Sequence, residues 1–124
     1  MLKRMSKRYG LQIPINTQIG PGLYIGHGLC VVIHPNTKIG KNCNLSQFTT
    51  IGSNHDTPAC IGDNVYIGPN VCIVEDVKVG DNAVIGAGAV VVKDVPAGKT
   101  VGGNPAKVIS DNSRDLTQPD LWPG

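Results

Sequence analysis

The chain has few of the features that mark the commoner protein classes. Aromatic residues make up only 4% of its 124 residues, so an ordinary globular core built on Phe and Trp is not expected. The net charge is +2 and the basic residues are not banded, which argues against binding of nucleic acid through its phosphates. No apolar run is long enough to span a membrane.

Two further absences bear on location. The basic start leads into Tyr9 and Gly10 and not into an apolar segment, so no secretory signal is expected. The four cysteines contain no CxxC pair, which disfavours a zinc or disulfide role and favours reduced thiols in the cytoplasm: Cys30, Cys43, Cys60 and Cys72.

What the sequence does contain is a repeat of six residues. From Ile61 to Val91 every sixth residue is Ile or Val, and Gly usually follows it. The fourth position of the hexad favours residues that tolerate a left-handed backbone, so a turn is expected there: Asn64, Asn70, Asp76, Asn82, Gly88 and Asp94.

A period of six fits neither an amphipathic helix nor a flat hairpin. Fixed self-similarity predicts a solenoid in which each unit buries its apolar face against its neighbours. We therefore expect an all-β protein, a parallel β-helix in which three short strands, one from each of three hexads, make one triangular coil.

The apolar anchors extend the repeat along most of the chain. Sixteen can be counted from Ile13 to Ile109, the last three being Ala97, Gly103 and Ile109, which predicts about five coils. We expect a basic N-terminal arm at 1–10, the β-helix at 11–109 and a polar tail at 110–124.

The repeat is interrupted twice, and a histidine lies in each interruption. Two extra residues precede Ile33, in a segment that contains His27, and four precede Ile61, in a segment that contains His55. Residues in such insertions are free to face a ligand, whereas residues inside a regular coil must stack. His34, which takes a slot usually held by Gly, is interpreted as structural.

His27 and His55 belong to different faces of the predicted prism. Faces of one chain diverge, but different faces of neighbouring copies meet in a ring of three subunits. We therefore expect a homotrimer with sites between subunits.

A paired signature near the end of the repeat resembles that of a known family. It reads IGAGAVVVKDVP from Ile85 to Pro96 and VGGNPAKVI from Val101 to Ile109, and it is similar to the C-terminal signature of left-handed β-helix acyltransferases that use acetyl-CoA. The resemblance implies a left-handed parallel β-helix, acetyl-CoA as co-substrate and no metal.

The segment IGHGLCVVI from Ile25 to Ile33 resembles the serine O-acetyltransferase branch. That branch has its principal catalytic histidine at the position of His27 and a second active-site histidine near His55. Sugar acetyltransferases have a single catalytic histidine in the later loop, often before Asp, and Asn54-His55-Asp56 resembles that pattern. L-Serine is the favoured acceptor and a sugar hydroxyl or amine the alternative.

The chain departs from the serine branch in two respects. Gln12 and Gly26 stand where that branch has aspartates around its first histidine, so we expect Gln12, Asn54 and Asp56 to orient the site. The helical N-terminal domain of the branch has no counterpart in the short segment before the repeat, which predicts a short form.

The resemblance also implies a cofactor groove. Its positions correspond to Pro69, Ala87, Gly88, Val92 and Lys93, and to Lys107 near the 3′-phosphate end. Pro69 and Ala87 lie three hexads apart, which is one predicted coil.

Transfer to a hydroxyl requires a base, and a largely neutral histidine suits that role, so His27 or His55 is expected to act directly without an acyl-enzyme. Backbone N–H groups around Gly52 and Ser53 are the expected oxyanion donors. Two rival functions stay open. A zinc enzyme of the γ-carbonic anhydrase type is disfavoured because its H-x4-H spacing is missing, and a non-catalytic scaffold is disfavoured by the CoA-like signature.

Overall fold

The computed structural model describes residues 17–26, 30–53 and 57–111. Within those ranges the chain forms fourteen short strands and no helix. The described residues therefore include no helix that could cross a membrane. The strands are β1 (Gln18–Ile19), β2 (Tyr24–Ile25), β3 (Val32–Ile33), β4 (Lys38–Ile39), β5 (Asn44–Leu45), β6 (Thr50–Gly52), β7 (Cys60–Ile61), β8 (Tyr66–Ile67), β9 (Cys72–Val74), β10 (Lys78–Val79), β11 (Val84–Ile85), β12 (Val90–Val91), β13 (Lys99–Gly102) and β14 (Lys107–Asp111).

From β1 to β12 every third strand joins the same sheet, which makes the triangular coil predicted from the repeat. Sheet 1 contains β1, β4, β7 and β10; sheet 2 contains β2, β5, β8, β11, β13 and β14; sheet 3 contains β3, β6, β9 and β12. All pairings are parallel except that of β13 with β14. Corner 2–3 denotes the turns from sheet 2 to sheet 3, and corner 3–1 those from sheet 3 to sheet 1.

The register of the strands confirms that both breaks in the repeat are local insertions. Tyr66 pairs with Val84, which lies three hexads and one regular coil further along the chain. The first break lengthens the stretch of chain between paired residues, because Tyr24 pairs with Asn44. The second break lengthens that stretch further, because Asn44 pairs with Tyr66. The strands on either side stay in register, so the sheets do not absorb the extra residues.

The core consists of stacked aliphatic side chains, one column for each sheet. On sheet 3 the column is Ile33, Ile51, Ile73 and Val91, each at most 2% exposed. Comparable columns contain Ile39, Ile61 and Val79 on sheet 1, and Leu45, Ile67 and Ile85 on sheet 2. Each side chain therefore meets the same kind of side chain in the next coil, at the strand spacing of about 4.8 Å.

The Gly that follows many anchors is required by the close approach of the next coil. A Cβ at Gly62 would lie 2.9 Å from the backbone nitrogen of Asp81, and one at Gly80 would lie 2.4 Å from that of Ala97. Any side chain there would push the two coils apart, which explains the Ile/Val-Gly pattern.

Left-handed residues occur in most of the turns between the described strands, largely as predicted. Asn64, Asn70, Asn82 and Gly88 all have φ between 57° and 73°. The prediction was wrong at Asp76, because its neighbour Glu75 (φ 66°) is the left-handed residue there, and Asp94 has no positive φ. β9 is three residues long, so its turn takes a different shape from that after a regular two-residue strand.

Aspartate side chains also bind one coil to the next. Asp63 Oδ1 accepts a hydrogen bond from the backbone N–H of Lys41 (2.9 Å), and Asp81 Oδ1 accepts one from that of Asp63 (2.7 Å). Hydrogen bonds to an ionised acceptor are stronger than neutral ones. This ladder satisfies turn N–H groups that the sheets leave unpaired.

The anchors predicted after Val91 were wrong. Val95 pairs with Val79 and Val101 with Ile85, both at less than one regular coil along the chain, and these two valines are 4% and 3% exposed. Ala97 and Gly103 are exposed, and Ile109 is 67% exposed. The turn after β12 is shorter than a regular one, and the shorter turn brings valines into the core where Ala and Gly would leave it underfilled.

The C-terminal end of the described residues is a hairpin and not a further coil. β14 runs antiparallel to β13, all its residues are exposed, and the register shifts between Thr100 and Val101. The described residues form about four coils, fewer than the five predicted, because part of the predicted first coil lies outside the described ranges and the last anchors do not stack.

One buried hydroxyl has no hydrogen-bond partner among the described residues. Thr37 is 1% exposed and its Oγ1 is unpaired, whereas buried Thr49 donates from Oγ1 to the carbonyl of Ser46 (2.7 Å). An unpaired buried hydroxyl destabilises the folded state, while a paired one contributes to its stability.

Thr37→Val should therefore raise the free energy of unfolding by about 1 kcal/mol, because it removes an unsatisfied group at nearly constant volume. Thr49→Val is the matched control and should lower it by about 1 kcal/mol. Urea unfolding of both variants and the wild type measures the difference. Equal effects of the two substitutions would contradict the assignment.

Candidate functional site

The two insertions lie at opposite edges of one sheet. The first joins β2 to β3 at corner 2–3, and its described ends are Gly26 and Cys30. The second joins β6 to β7 at corner 3–1, and its described ends are Ser53 and Thr57. Because β3 pairs with β6, the two insertions flank sheet 3 in neighbouring coils.

Five of the predicted site residues lie outside the described residues. They are Gln12, His27, Asn54, His55 and Asp56. Their roles stay predictions, and the described ends of the insertions fix only the corners at which the two histidine segments begin and end.

The cofactor positions at corner 2–3 are brought together. The backbone N–H of Gly88 donates to the carbonyl of Pro69 (2.9 Å), so these residues stack one coil apart. A Cβ at Gly68 would lie 2.9 Å from the backbone nitrogen of Ala87. Ala87 and Gly88 are exposed and Pro69 is half-buried, which leaves a stretch of accessible backbone with few side-chain atoms in front of it.

Gly88 itself has φ 73°, and no atom lies within 4 Å of the place where its Cβ would be. The turn needs a residue that tolerates the left-handed region, and Gly keeps the surface open. A thin ligand can therefore approach this backbone closely.

Lys107 lies at the same corner, beyond Gly88. It pairs with Gly102 at the start of β14. The segment before it forms the next layer on β12, because Val90 donates to the carbonyl of Gly103 (3.0 Å) and accepts from the N–H of Ala106 (2.8 Å). The order of residues along corner 2–3 is therefore Lys107, then Ala87 and Gly88, then Pro69. The corner continues from Pro69 towards the coil in which the His27 insertion begins.

Val92 and Lys93 lie at the other edge of sheet 3. They follow β12 at corner 3–1, and both are exposed. The structure thus separates the six predicted cofactor residues into two groups, one on each edge of sheet 3.

Lys93 and Lys107 are exposed cations. Among the described residues the ion pair is that of Lys99 with Asp111, and it involves neither of them. The carboxylate of Asp94, next to Lys93, accepts a hydrogen bond from the backbone N–H of Lys78 (2.8 Å). Both ammonium groups are therefore available to an anionic ligand.

Cys43 is not suited to act as a nucleophile. Cys43 is buried, burial raises the pKa of its thiol, and its Sγ donates to the carbonyl of Gly62 (3.1 Å). A thiol with a raised pKa is a poor nucleophile. All four cysteines are free, and Cys30 and Cys60 are exposed.

His34 has a local structural contact, as its sequence context suggested. Its Nδ1 accepts a hydrogen bond from the backbone N–H of Asn36 (3.0 Å), and the carbonyl of His34 accepts one from Thr37 (3.0 Å). The side chain thus supports the turn between β3 and β4.

Phe48, at corner 2–3, was not among the predicted site residues. The residue is 46% exposed and its φ is 60°. The signal was present, because Phe stands at the fourth position of a hexad, where Asn or Gly is usual.

Comparison with known proteins places the repeat in a family. Residues 61–93 match the model of the bacterial transferase hexapeptide, which spans six repeats. These residues therefore carry the repeat that this model describes.

The chain is similar to serine acetyltransferases. The chain is 38% identical over 110 residues to the chloroplastic serine acetyltransferase 1 of Arabidopsis thaliana, a match that covers 86% of this chain and 35% of that protein. Soybean serine acetyltransferase complexed with serine is 33% identical with a TM-score of 0.82, over 87% of this chain and 46% of that chain. A serine acetyltransferase in complex with CoA is 28% identical with a TM-score of 0.82, over the same shares.

The predicted left-handed parallel β-helix is confirmed by this likeness of fold. The chain spans about a third of the length of the Arabidopsis relative and just under half of the solved chains.

Proposed function

We propose that the protein transfers an acetyl group from acetyl-CoA to a small hydroxyl acceptor, L-serine being the favoured one. The observation that carries the proposal is the stacking of Gly88 on Pro69 beside exposed Ala87, an accessible backbone edge at corner 2–3. The similarity to serine acetyltransferases, one solved with serine and one with CoA, supports the same reaction.

The pantetheine arm would lie along the backbone at corner 2–3. Its amides need polar partners and its methylenes need an apolar surface, and exposed turn backbone beside Ala87 and Pro69 offers both. Lys107 would bind the 3′-phosphate end of the cofactor, and Lys93 would contribute positive charge from the other edge of sheet 3.

A histidine at one of the two insertions, His27 or His55, would act as the general base. The neutral imidazole takes the proton of the acceptor hydroxyl as its oxygen attacks the thioester carbonyl. The tetrahedral intermediate then collapses, the carbon–sulfur bond breaks, and the proton passes to the departing CoA sulfur. Backbone N–H groups near Gly52 and Ser53 would stabilise the oxyanion.

A trimer would complete the site. One chain separates the two insertions across sheet 3, whereas a threefold ring sets corner 2–3 of one copy against corner 3–1 of the next. The same arrangement joins the two groups of cofactor residues. Light scattering should therefore give the mass of three chains, and a monomer at micromolar concentration would contradict this assembly.

Substitution of the histidines tests the reaction. Acetyl-CoA consumption should be measured with L-serine and a panel of sugars by loss of thioester absorbance, because exposed Cys30 and Cys60 would react with a thiol reagent. Replacing the base with Ala, as His27→Ala or His55→Ala, should lower kcat by about 10²- to 10⁴-fold.

His34→Ala is the matched control, because that histidine supports a turn and should leave kcat near the wild-type value. Turnover with serine that depends on His27 supports the serine reaction. Turnover only with sugars that depends on His55 would replace serine by a sugar as acceptor. No turnover and no CoA binding would overturn the proposal.

The lysines are tested by CoA affinity. Lys107→Ala should raise the Kd of CoA about three- to fivefold, the equivalent of roughly 0.5–1 kcal/mol for an exposed charge pair. The effect should vanish with dephospho-CoA, which lacks the 3′-phosphate. Lys93→Ala should raise the Kd of both CoA and dephospho-CoA.

Lys38→Ala serves as control, because Lys38 is exposed on β4 of sheet 1, away from either group of cofactor residues. Calorimetric titration of the wild type and the three variants with CoA and with dephospho-CoA gives the dissociation constants. A loss of affinity in Lys38→Ala equal to that in Lys107→Ala would mean that the effect comes from net charge alone.

A further inference from the structure

Phe48 has an unfavourable backbone conformation that its surroundings do not explain. A bulky side chain is rarely found in the left-handed region, because its Cβ crowds the following carbonyl oxygen. Burial of the ring could offset that cost, but 46% of the residue is exposed. The residue therefore carries strain without the compensation that a core position would give.

The turn itself calls for a different residue. Corner 2–3 has a left-handed residue in every described coil, namely Cys30 (φ 53°), Phe48 (φ 60°), Asn70 (φ 58°) and Gly88 (φ 73°). Asn and Gly suit this conformation, and they occupy it in the two coils that follow Phe48. Local turn chemistry thus favours Asn or Gly at position 48.

The place of Phe48 along the corner is distinctive. Its coil lies directly after the one with the His27 insertion, since the N–H of Gly26 donates to the carbonyl of Leu45 (2.8 Å). Its coil lies directly before the one with Pro69, since the N–H of Asn70 donates to the carbonyl of Gln47 (3.1 Å). Each step along the corner is about 4.8 Å, the spacing of neighbouring strands.

On the proposed function, the cofactor runs along this corner from Lys107 through Gly88 and Ala87 to Pro69. Its thioester end then arrives at the next layer, which is that of Phe48, and the layer after that holds the His27 insertion. Phe48 therefore belongs to the layer that the acyl group of the donor would reach during transfer.

We infer that Phe48 is a specificity-determining residue that limits the donor to a short acyl group. This inference rests on the proposed function. An aromatic ring in the left-handed position forms an apolar wall beside the acyl carbon, which a methyl group can contact and a longer chain would clash with. Strain at a position that shapes a site is the situation in which an unfavourable backbone is retained.

Phe48→Asn tests the inference, because Asn suits the left-handed turn and removes the wall. The kcat/KM values for acetyl-CoA, propionyl-CoA and butyryl-CoA should be measured with the acceptor that the wild type uses. The variant should raise the ratio of butyryl to acetyl transfer by about tenfold or more, as expected when a pocket gains room for methylene groups. Its melting temperature should rise at the same time.

Glu75→Asn is the matched control. Glu75 also has a positive φ (66°), but it lies at corner 3–1 and its N–H donates to the carbonyl of Gly52 (3.1 Å). The substitution should raise the melting temperature in the same way and leave the acyl preference at the wild-type ratio. Phe48→Leu, which keeps an apolar but smaller side chain, should give an intermediate ratio.

The outcomes separate this inference from the function on which it rests. Absence of transfer by the wild type with every donor and acceptor overturns the proposed function and this inference with it. Transfer by the wild type with an unchanged donor ratio in Phe48→Asn overturns only the role of Phe48. The same holds if Phe48→Asn changes the molecular mass in solution and not the ratio, because the ring would then serve subunit contact.

Discussion

The stacking of each aliphatic side chain on its counterpart in the next coil is the interaction on which the rest of the structure depends. Strands of two or three residues cannot form a stable sheet alone, and they persist because every coil offers its neighbour both a column of buried side chains and a row of backbone partners. Ile51 lies on Ile73 and Ile73 on Val91, all at most 1% exposed. A hexad that failed to place such a side chain would interrupt the column.

That requirement decides where chemistry can occur. A Cβ at Gly62 or Gly80 would meet the backbone of the next coil, so a ligand cannot enter between coils at these turns. A ligand needs a lengthened turn or a stretch of accessible backbone along a corner. The two insertions and the open backbone around Gly88 are those places, and they flank sheet 3.

The sequence sufficed for the periodic part of the fold. The anchors from Ile19 to Val91, the coil of three hexads and both insertions could be predicted because one physical demand recurs at a fixed spacing. The register beyond Val91 could not, because counting by six leads to Ala97 and Gly103, whereas the fold shortens one turn and buries Val95 and Val101. Beyond Val91 the volume of the side chain, and not the six-residue period, decides which residues are buried.

The candidate site was predictable only to the extent that it depends on the same period. Pro69 and Ala87 were expected to be one coil apart, and the hydrogen bond from Gly88 to Pro69 confirms that spacing. The separation of the cofactor residues between two edges of sheet 3 follows from the three-dimensional path, which a spacing along the chain does not contain. Phe48 could not be predicted as a site residue from the repeat, because a single strained turn residue leaves the repeat unchanged.

The most direct test of the account is hydrogen exchange of backbone amides with and without saturating CoA, read by mass spectrometry. The account predicts slower exchange in peptides that cover residues 68–72 and 86–93, at the two edges of sheet 3, and no change in residues 38–43, which leave sheet 1. Protection confined to residues 38–43, or no protection under conditions where CoA is bound, would contradict it.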